Sequence, residues 1–520
     1  MTGLTMGAAA VGLPIAACTS ESASSSQDQD AGESPDSLAV AMANPFSDLD
    51  PTTAIQFGTI TVNDYVYESL YSIDKFTPRS EISPEIAVGL PEEITPTTYR
   101  LTIRDDVRMH DGSTLAASDV VYTINRIKDP ETASPFAQTF EIIAAVRAPS
   151  ATEIEIELTA PTTRLAERLA LIPGILSEAA VTASADALVL EPVGSGPLRV
   201  VSAVSGERIS LERFTEYTGA REFHYERVDI SVVADANARI SGLRTGQFRA
   251  IEDVPASAYE ELSTANGIRT EAAPSALITY LMCNCGKPPF DDVRVRQAVA
   301  YAIDRDSVTQ SSFFGQAEPA WAQSLSAEIS GAVEAETVYR HDPERARELL
   351  AEAGYGDQSV PIDVLVTTNV EFLGSQGPII EENLRSAGFE PNMIPGEGVA
   401  HVSRVTEGNY GLWLGLTDPS VYAADAEFMI RFLWVGTFQT GFFYWLTPEA
   451  TRVQELLRSV SLSTNDAERE RILEEVQNII QDEVPIVPLH FKKQITAWDD
   501  SLDGFKALPA AGLALDDVQG

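Results

Sequence analysis

Basic side chains are scarce: 36 Lys plus Arg stand against 77 Asp plus Glu, a formal charge of −41 over 520 residues. Neutralising nucleic-acid phosphates needs clustered basic groups, so a nucleic-acid partner is excluded. The same deficit prevents charge from holding the chain on anionic lipid headgroups. Cysteine is nearly absent, with Cys18, Cys283 and Cys285 alone, and a disulfide framework is excluded. No apolar run reaches roughly 18 residues, which excludes a multi-span membrane protein. Enzyme signatures are missing too: there is no Gly-x-Ser-x-Gly elbow, His-Glu-x-x-His, Cys-x-x-Cys, Gly-x-Gly-x-x-Gly or phosphate loop. The reading is a non-enzyme without cofactor. The five histidines do not cluster, so no metal site is expected.

What is present suffices for sizeable cores. Apolar residues make up 44% of the chain, and the length fits two to four domains or lobes. The amino terminus holds a small apolar stretch from Ala8 to Ala17, ending in Ile15-Ala16-Ala17-Cys18. That tetrad resembles the lipobox of bacterial lipoproteins, which implies a signal peptide over 1–18 and acylation of Cys18. Residues 19–37 contain no apolar side chain larger than Ala, cannot repay the entropy of ordering, and read as a disordered tether. The first basic residue is Lys75. The basic segment that opens such signal peptides is therefore missing, which points to a start upstream of Met1.

From Leu38 onward, short strand-like segments alternate with helical ones, and no repeat of solenoid period is found. Thr98 to Arg104 alternates polar and apolar residues ahead of an Asp111-Gly112 turn. Ala151 to Leu158 sets glutamates on one face and aliphatics on the other, the pattern of a half-buried strand. Helices are expected over 296–302, over 343–353 with Asp342 as cap and Pro343 in the first turn, and over 467–480. The prolines of Val484 to Leu489 place that strand at an edge or crossover. His110-Asp111-Gly112 reads as a turn, Arg294, Arg296, Asp304 and Arg305 as structural pairs and caps, and Cys283 and Cys285 as buried free thiols.

Several segments, taken in order, resemble the extracytoplasmic solute-binding proteins of the peptide/nickel/opine type (family 5) that serve ABC importers. They are Leu49-Asp50-Pro51, Tyr67-Glu68-Ser69-Leu70, Tyr99 to Arg104 with Met109 to Ser113, Ser118 to Thr123, Val193 to Leu198, Asn284 with Pro288 to Arg305, and Asp342 to Tyr355. The resemblance implies an α/β fold of two lobes around a hinged cleft, of the type II periplasmic-binding-protein kind. Lobe I comprises 38–58, 189–275 and 485–520, its inserted subdomain 59–188, and lobe II 276–484.

It also implies a lipid-anchored, extracytoplasmic monomer that delivers a peptide-like or other small polar solute to permease and ATPase subunits. The rival readings are a receptor of the same fold acting in signalling without transport, and a secreted hydrolase using a carboxylate pair. By the resemblance, the cleft is lined from lobe I by Gln56, Phe57, Thr59 and Tyr65. From lobe II, Gly415-Leu416-Thr417-Asp418 stands where peptide-binding members carry Gly-Trp and an amine-pairing aspartate. Leucine replaces the tryptophan and the aspartate comes one residue early. Among the aromatic residues between Trp413 and Trp445, which otherwise suit a core, Tyr422 and Trp434 are the candidates to face the cleft.

Overall fold

The strand Ser37–Met42 pairs in parallel with Arg227–Val232 on one side and with Ala250–Ile251 on the other. Around it a seven-stranded sheet runs in the order 268–273, 494–499, 250–251, 37–42, 227–232, 208–213, 198–204. In this computed structural model, residues 36–54, 56–76, 82–184, 188–356, 358–418 and 425–520 are described. Cys18, the tether up to Pro35 and Tyr422 lie outside them. Pairing of Ser37 with Arg227 ends the expected tether one residue early.

A second sheet of six strands runs 317–319, 486–492, 278–283, 412–417, 360–367, 389–396. Each sheet has its own apolar core: Val40, Met42, Leu211 and Trp498 in the first lobe, Leu281, Val364, Leu414 and Val487 in the second. A four-stranded sheet (92–95, 98–102, 153–158, 143–147) with the helix Ala117–Lys128 forms a third core, in the inserted subdomain. Among the described residues, no helix is long and apolar enough to cross a membrane.

The lobes are joined where two neighbouring strands leave one sheet and enter the other. Ile268–Ala273 is antiparallel to Gln494–Asp499 in the first sheet, and their continuations Ile278–Cys283 and Ile486–Lys492 are antiparallel in the second. The crossings are residues 274–277 and the single residue Lys493. The expected lobe boundary at 484/485 precedes the strand Ile486–Lys492, which pairs wholly in the second sheet. Nor is this strand at the edge: residues 490–492 are covered by the short strand Ala317–Pro319. Pro488 lies beyond that cover and pairs with Tyr280 at a register irregularity of the ladder, a place where a strand tolerates proline. The expected start of the inserted subdomain at residue 59 cuts through the helix Phe57–Val66, whose Val62, Tyr65 and Val66 pack in the first lobe's core.

The expected helices are Val293–Ala302, Pro343–Glu352 and Asp466–Glu483. Asp342 caps the second by accepting the Arg345 N–H at 2.9 Å. Buried Arg296 pairs with Glu483 at 3.1 Å. Buried Arg305 donates to the carbonyls of Pro488, Ala300, Ile303 and Tyr339 and lies 5.1 Å from the Trp321 ring centre. Both thiols, Cys283 and Cys285, are free and buried.

The motifs of the family resemblance meet one another. Gly194 and Gly196 lie on the end of the helix Phe57–Val66, where an added Cβ would sit 1.9 Å and 2.4 Å from backbone carbonyl oxygens of Val66 and Tyr65. Only glycine fits there. The His110 turn closes over the same segment: Nε2 lies 2.9 Å from the Gly196 carbonyl oxygen, and Nδ1 takes the Gly194 N–H at 3.4 Å. A carbonyl can only accept, so Nε2 carries the proton and Nδ1 the lone pair.

Burial holds the His110 pKa down, from its ordinary 6.5 to about 4. Between those values the unfolded chain binds a proton that the folded chain refuses. The stability His110 contributes is thus complete above pH 6.5 and is lost as pH falls through 4, by up to about 3 kcal/mol. Denaturant unfolding at pH 7 and pH 4.5 should show a smaller acid loss for His110→Gln than for the unaltered protein; equal losses would contradict this.

Candidate functional site

The helix Phe57–Val66 starts without a side-chain cap at Gln56, so its position is set from outside. Thr59 Oγ1 accepts the Ser47 N–H at 3.2 Å, and the Tyr65 hydroxyl bonds to the Leu513 carbonyl and accepts the Leu515 N–H at 3.0 Å. Ahead of it, Asp50 takes the Thr52 N–H at 2.9 Å and the Arg126 guanidinium at 2.5 Å. The loop before the helix is thereby tied to the inserted subdomain.

A cavity of about 370 Å³ opens beside this helix, within the range of small-molecule sites. Its walls are the helix, residues 170–173 of the inserted subdomain, 274–276 of the first crossover, Glu328 and Ile329 of the second lobe, and the carboxyl-terminal segment 508–513. Both lobes and the hinge therefore contribute. The lining is mainly apolar, with Phe57, Ile60, Tyr65, Phe136, Ile172 and Leu513 among its residues.

Two cations line it, Lys75 and Arg221, and both are engaged. Arg221 pairs with Asp516 at 2.7 Å and with Asp64 at 3.1 Å; Lys75 pairs with Asp516 at 2.9 Å and also with Asp64. Two positive and two negative groups thus close a square. Burial alone would raise the Asp64 carboxyl, but Lys75 and Arg221 outweigh it and hold the pKa below the ordinary value. The Arg221 guanidinium also sits 5.2 Å from the Tyr65 ring centre. Glu85, on the same wall, accepts the Ser69 N–H at 2.8 Å; burial chiefly, with the nearby Glu68 charge adding, pushes its pKa up to about 7.

Away from the hinge the lobes touch a second time. Arg164 and Arg168 of the inserted subdomain reach Asp425 at 3.0 Å and Glu427 at 3.3 Å in the second lobe. Glu427 is fully buried and also faces Arg431 at 3.2 Å and Arg469 at 3.0 Å. Burial would raise its pKa, but the arginines, Arg431 and Arg168 foremost, hold it below the ordinary value. Phe428 of the second lobe packs into the inserted subdomain's core, with the Arg168 guanidinium 4.8 Å from its ring centre.

Of the residues expected from the resemblance, Phe57 and Tyr65 line the cavity. Gln56 is exposed at the helix start, and Thr59 is buried against Ser47. Gly415, Leu416 and Thr417 lie in the strand Leu412–Thr417 with Asp418 buried just past its end; none of them is among the cavity's lining residues. Trp434 corrects an expectation: it is fully buried in the second lobe's core, because the amphipathic helix Ala426–Trp434 turns that face inward. The sequence reading missed Arg221, Lys75, Ser275, Glu328 and residues 508–513, which come from segments without motif or period.

Residues 81–437 match the family model described as bacterial extracellular solute-binding proteins, family 5 Middle. A glutathione-binding protein, GsiB of Escherichia coli (strain K12), is 26% identical over 499 residues, covering 92% of this chain and 94% of that protein. The solved structure of the periplasmic binding protein AgaA in complex with agropinic acid, from A. tumefaciens R10, superposes with a TM-score of 0.81 at 22% identity, covering 93% of this chain and 98% of that one. The periplasmic binding protein DppA of Helicobacter pylori, in complex with the peptide STSA, gives 0.80 at 21% identity, covering 92% and 96%.

The ionic square generates a stability test. Arg221→Met leaves Asp64 and Asp516 sharing Lys75 alone, and should cost about 2 kcal/mol in denaturant unfolding, less than a fully buried pair because Asp64 is partly exposed. Adding Asp516→Asn should recover part of that loss; strictly additive losses would show that Arg221 and Asp516 do not interact.

Proposed function

The chain belongs to the bacterial extracellular solute-binding proteins of family 5, and on that premise we propose that it is a membrane-anchored receptor. It encloses a small peptide-like or other polar solute between its two lobes and delivers it to the permease and ATPase subunits of an ABC importer. The observation that carries this reading is the cavity walled by both lobes at the crossover strands. A solute that touches both walls binds the closed arrangement better than the open one and so draws the lobes together. No chemical step on the solute is required, and family membership favours neither the signalling receptor nor the hydrolase.

The relatives support the ligand class in breadth. They are, by their names, binders of glutathione, agropinic acid and a short peptide, all polar solutes carrying amide, amine or carboxylate groups. Anchoring through an acylated Cys18 rests on the Ile15-Ala16-Ala17-Cys18 tetrad, since each buried methylene of an acyl chain contributes about 0.8 kcal/mol to membrane attachment.

The second contact between the lobes supports closure by a physical route. Arg168 is the member of the Glu427 cluster that comes from the inserted subdomain. When the lobes part, Glu427 keeps Arg431 and Arg469, while Arg164 and Arg168 exchange Asp425 and Glu427 for water and the cross-lobe energy is lost.

A thermal-shift screen against short peptides, glutathione, opines and chelated metals should reveal at least one solute that raises the melting midpoint with concentration; no shift from any class would contradict the receptor reading. For the solute so found, Arg168→Ala should weaken affinity about tenfold while leaving the ligand-free midpoint nearly unchanged; unaltered affinity would remove the cross-lobe contact from closure. Cys18→Ser should move the protein from the membrane to the soluble fraction, and an unchanged distribution would contradict lipid anchoring.

A further inference from the structure

Three observations about the cavity bear on which solute it takes. The first is a charge imbalance. Among the described residues, the lining contains no cation besides Lys75 and Arg221, and both are engaged by Asp64 and Asp516. A ligand carboxylate entering the cavity would have to displace one of these acids.

The second is Glu328. It is exposed on the second lobe's side of the cavity, held in place through its own N–H and the Ser326 hydroxyl at 3.5 Å. Its carboxylate has no ion-pair partner among the described residues. It therefore offers an uncompensated negative charge at the lobe that moves on closure.

The third is Asn63, on the helix Phe57–Val66. The residue is one of those lining the cavity and is only 3% exposed; its amide nitrogen and oxygen are buried and have no hydrogen-bond partner among the described residues. Such a group costs about 1–3 kcal/mol when left unsatisfied. It is a donor and an acceptor on one plane, and its complement is another amide.

From these we propose that the cavity is selective for a basic, peptide-like solute, with a backbone amide of the ligand against Asn63 and an ammonium or guanidinium directed to Glu328. This rests on the solute-receptor reading above and narrows it. The ligand bridges the lobes: its amide is read by the first and its positive charge by the second. Specificity then comes from the absence of an available cation in the lining as much as from the acid that is present. An acidic ligand meets no partner and loses its hydration.

Isothermal titration of the full chain with N-acetylated, C-amidated Ala-Lys-Ala, Ala-Ala-Ala and Ala-Glu-Ala tests this on one backbone whose only charge is that of the central side chain. Ala-Lys-Ala should bind about fivefold tighter than Ala-Ala-Ala, and Ala-Glu-Ala more weakly than either. Glu328→Gln should reduce the lysine preference to about twofold, chiefly by weakening Ala-Lys-Ala. Asn63→Leu should weaken all three peptides alike. Equal or tighter binding of Ala-Glu-Ala, or a lysine preference that survives Glu328→Gln, would overturn the proposal. If no tripeptide binds while another solute in the thermal-shift screen does, basic-peptide selectivity is wrong and the receptor reading stands; if nothing in that screen binds, both fail.

Discussion

The two lobes are joined by one ribbon of two antiparallel strands, and any movement of one against the other must pass through it. Ile268–Ala273 with Gln494–Asp499, and Ile278–Cys283 with Ile486–Lys492, form a ladder that begins in one sheet and ends in the other. Between the two halves stand four residues on one strand and one on the other. Ser275 bonds to the Lys492 carbonyl, the Lys492 N–H donates to the Leu277 carbonyl at 3.0 Å, and the Lys492 ammonium meets Asp253 of the first lobe at 2.5 Å. A short, hydrogen-bonded double crossing permits rotation of one lobe against the other and resists shear, because sliding would break ladder bonds on both sides. Residues 274–276 in the cavity wall put the cavity beside the axis of that rotation.

The charge of the chain acquires meaning at this site. Most of the acids belong to an exposed coat, but Asp64 and Asp516 are spent on immobilising Lys75 and Arg221 at the cavity wall, and Glu427 on gathering arginines from both lobes. In a chain with 36 basic residues, every lining cation is committed to the fold. The site is thus acidic by subtraction, and its rim is acidic by the presence of Glu328. A partly buried ion square of this kind fixes geometry at the expense of available charge.

Much of the architecture was legible because local rules govern it. Asp342-Pro343 specifies a helix start by cap and by φ, and the alternation of Glu153 to Leu158 specifies a half-buried strand; both stand in the structure. The motifs of the family resemblance turn out to be joints: Gly194 and Gly196 are glycines because backbone occupies the space a side chain would need, and His110 is there to close over them. The cavity was only half legible. Phe57 and Tyr65 lie on a helix that the Leu49-Asp50-Pro51 loop introduces, so the resemblance could reach them. Trp434 could not be told from a cleft residue by density of aromatic side chains, since a core helix and a stacking wall use the same residues. The ionic square joins positions up to 441 residues apart, and the Arg168 to Glu427 contact spans 259. No periodicity or spacing encodes such pairs; only the folded chain brings them together.

The central claim is that a solute closes the two lobes about the ribbon. It is tested most directly by spin labels on introduced cysteines in a Cys18→Ser background, Glu131→Cys in the inserted subdomain and Glu455→Cys on the second lobe, both exposed, while the native thiols Cys283 and Cys285 are buried. Pulsed electron-electron resonance should give a broad, longer distance distribution without solute and a single shorter distance once a solute from the thermal-shift screen saturates the protein. An identical distribution in both conditions, with binding confirmed on the same sample, would contradict closure as the means by which this protein holds its ligand.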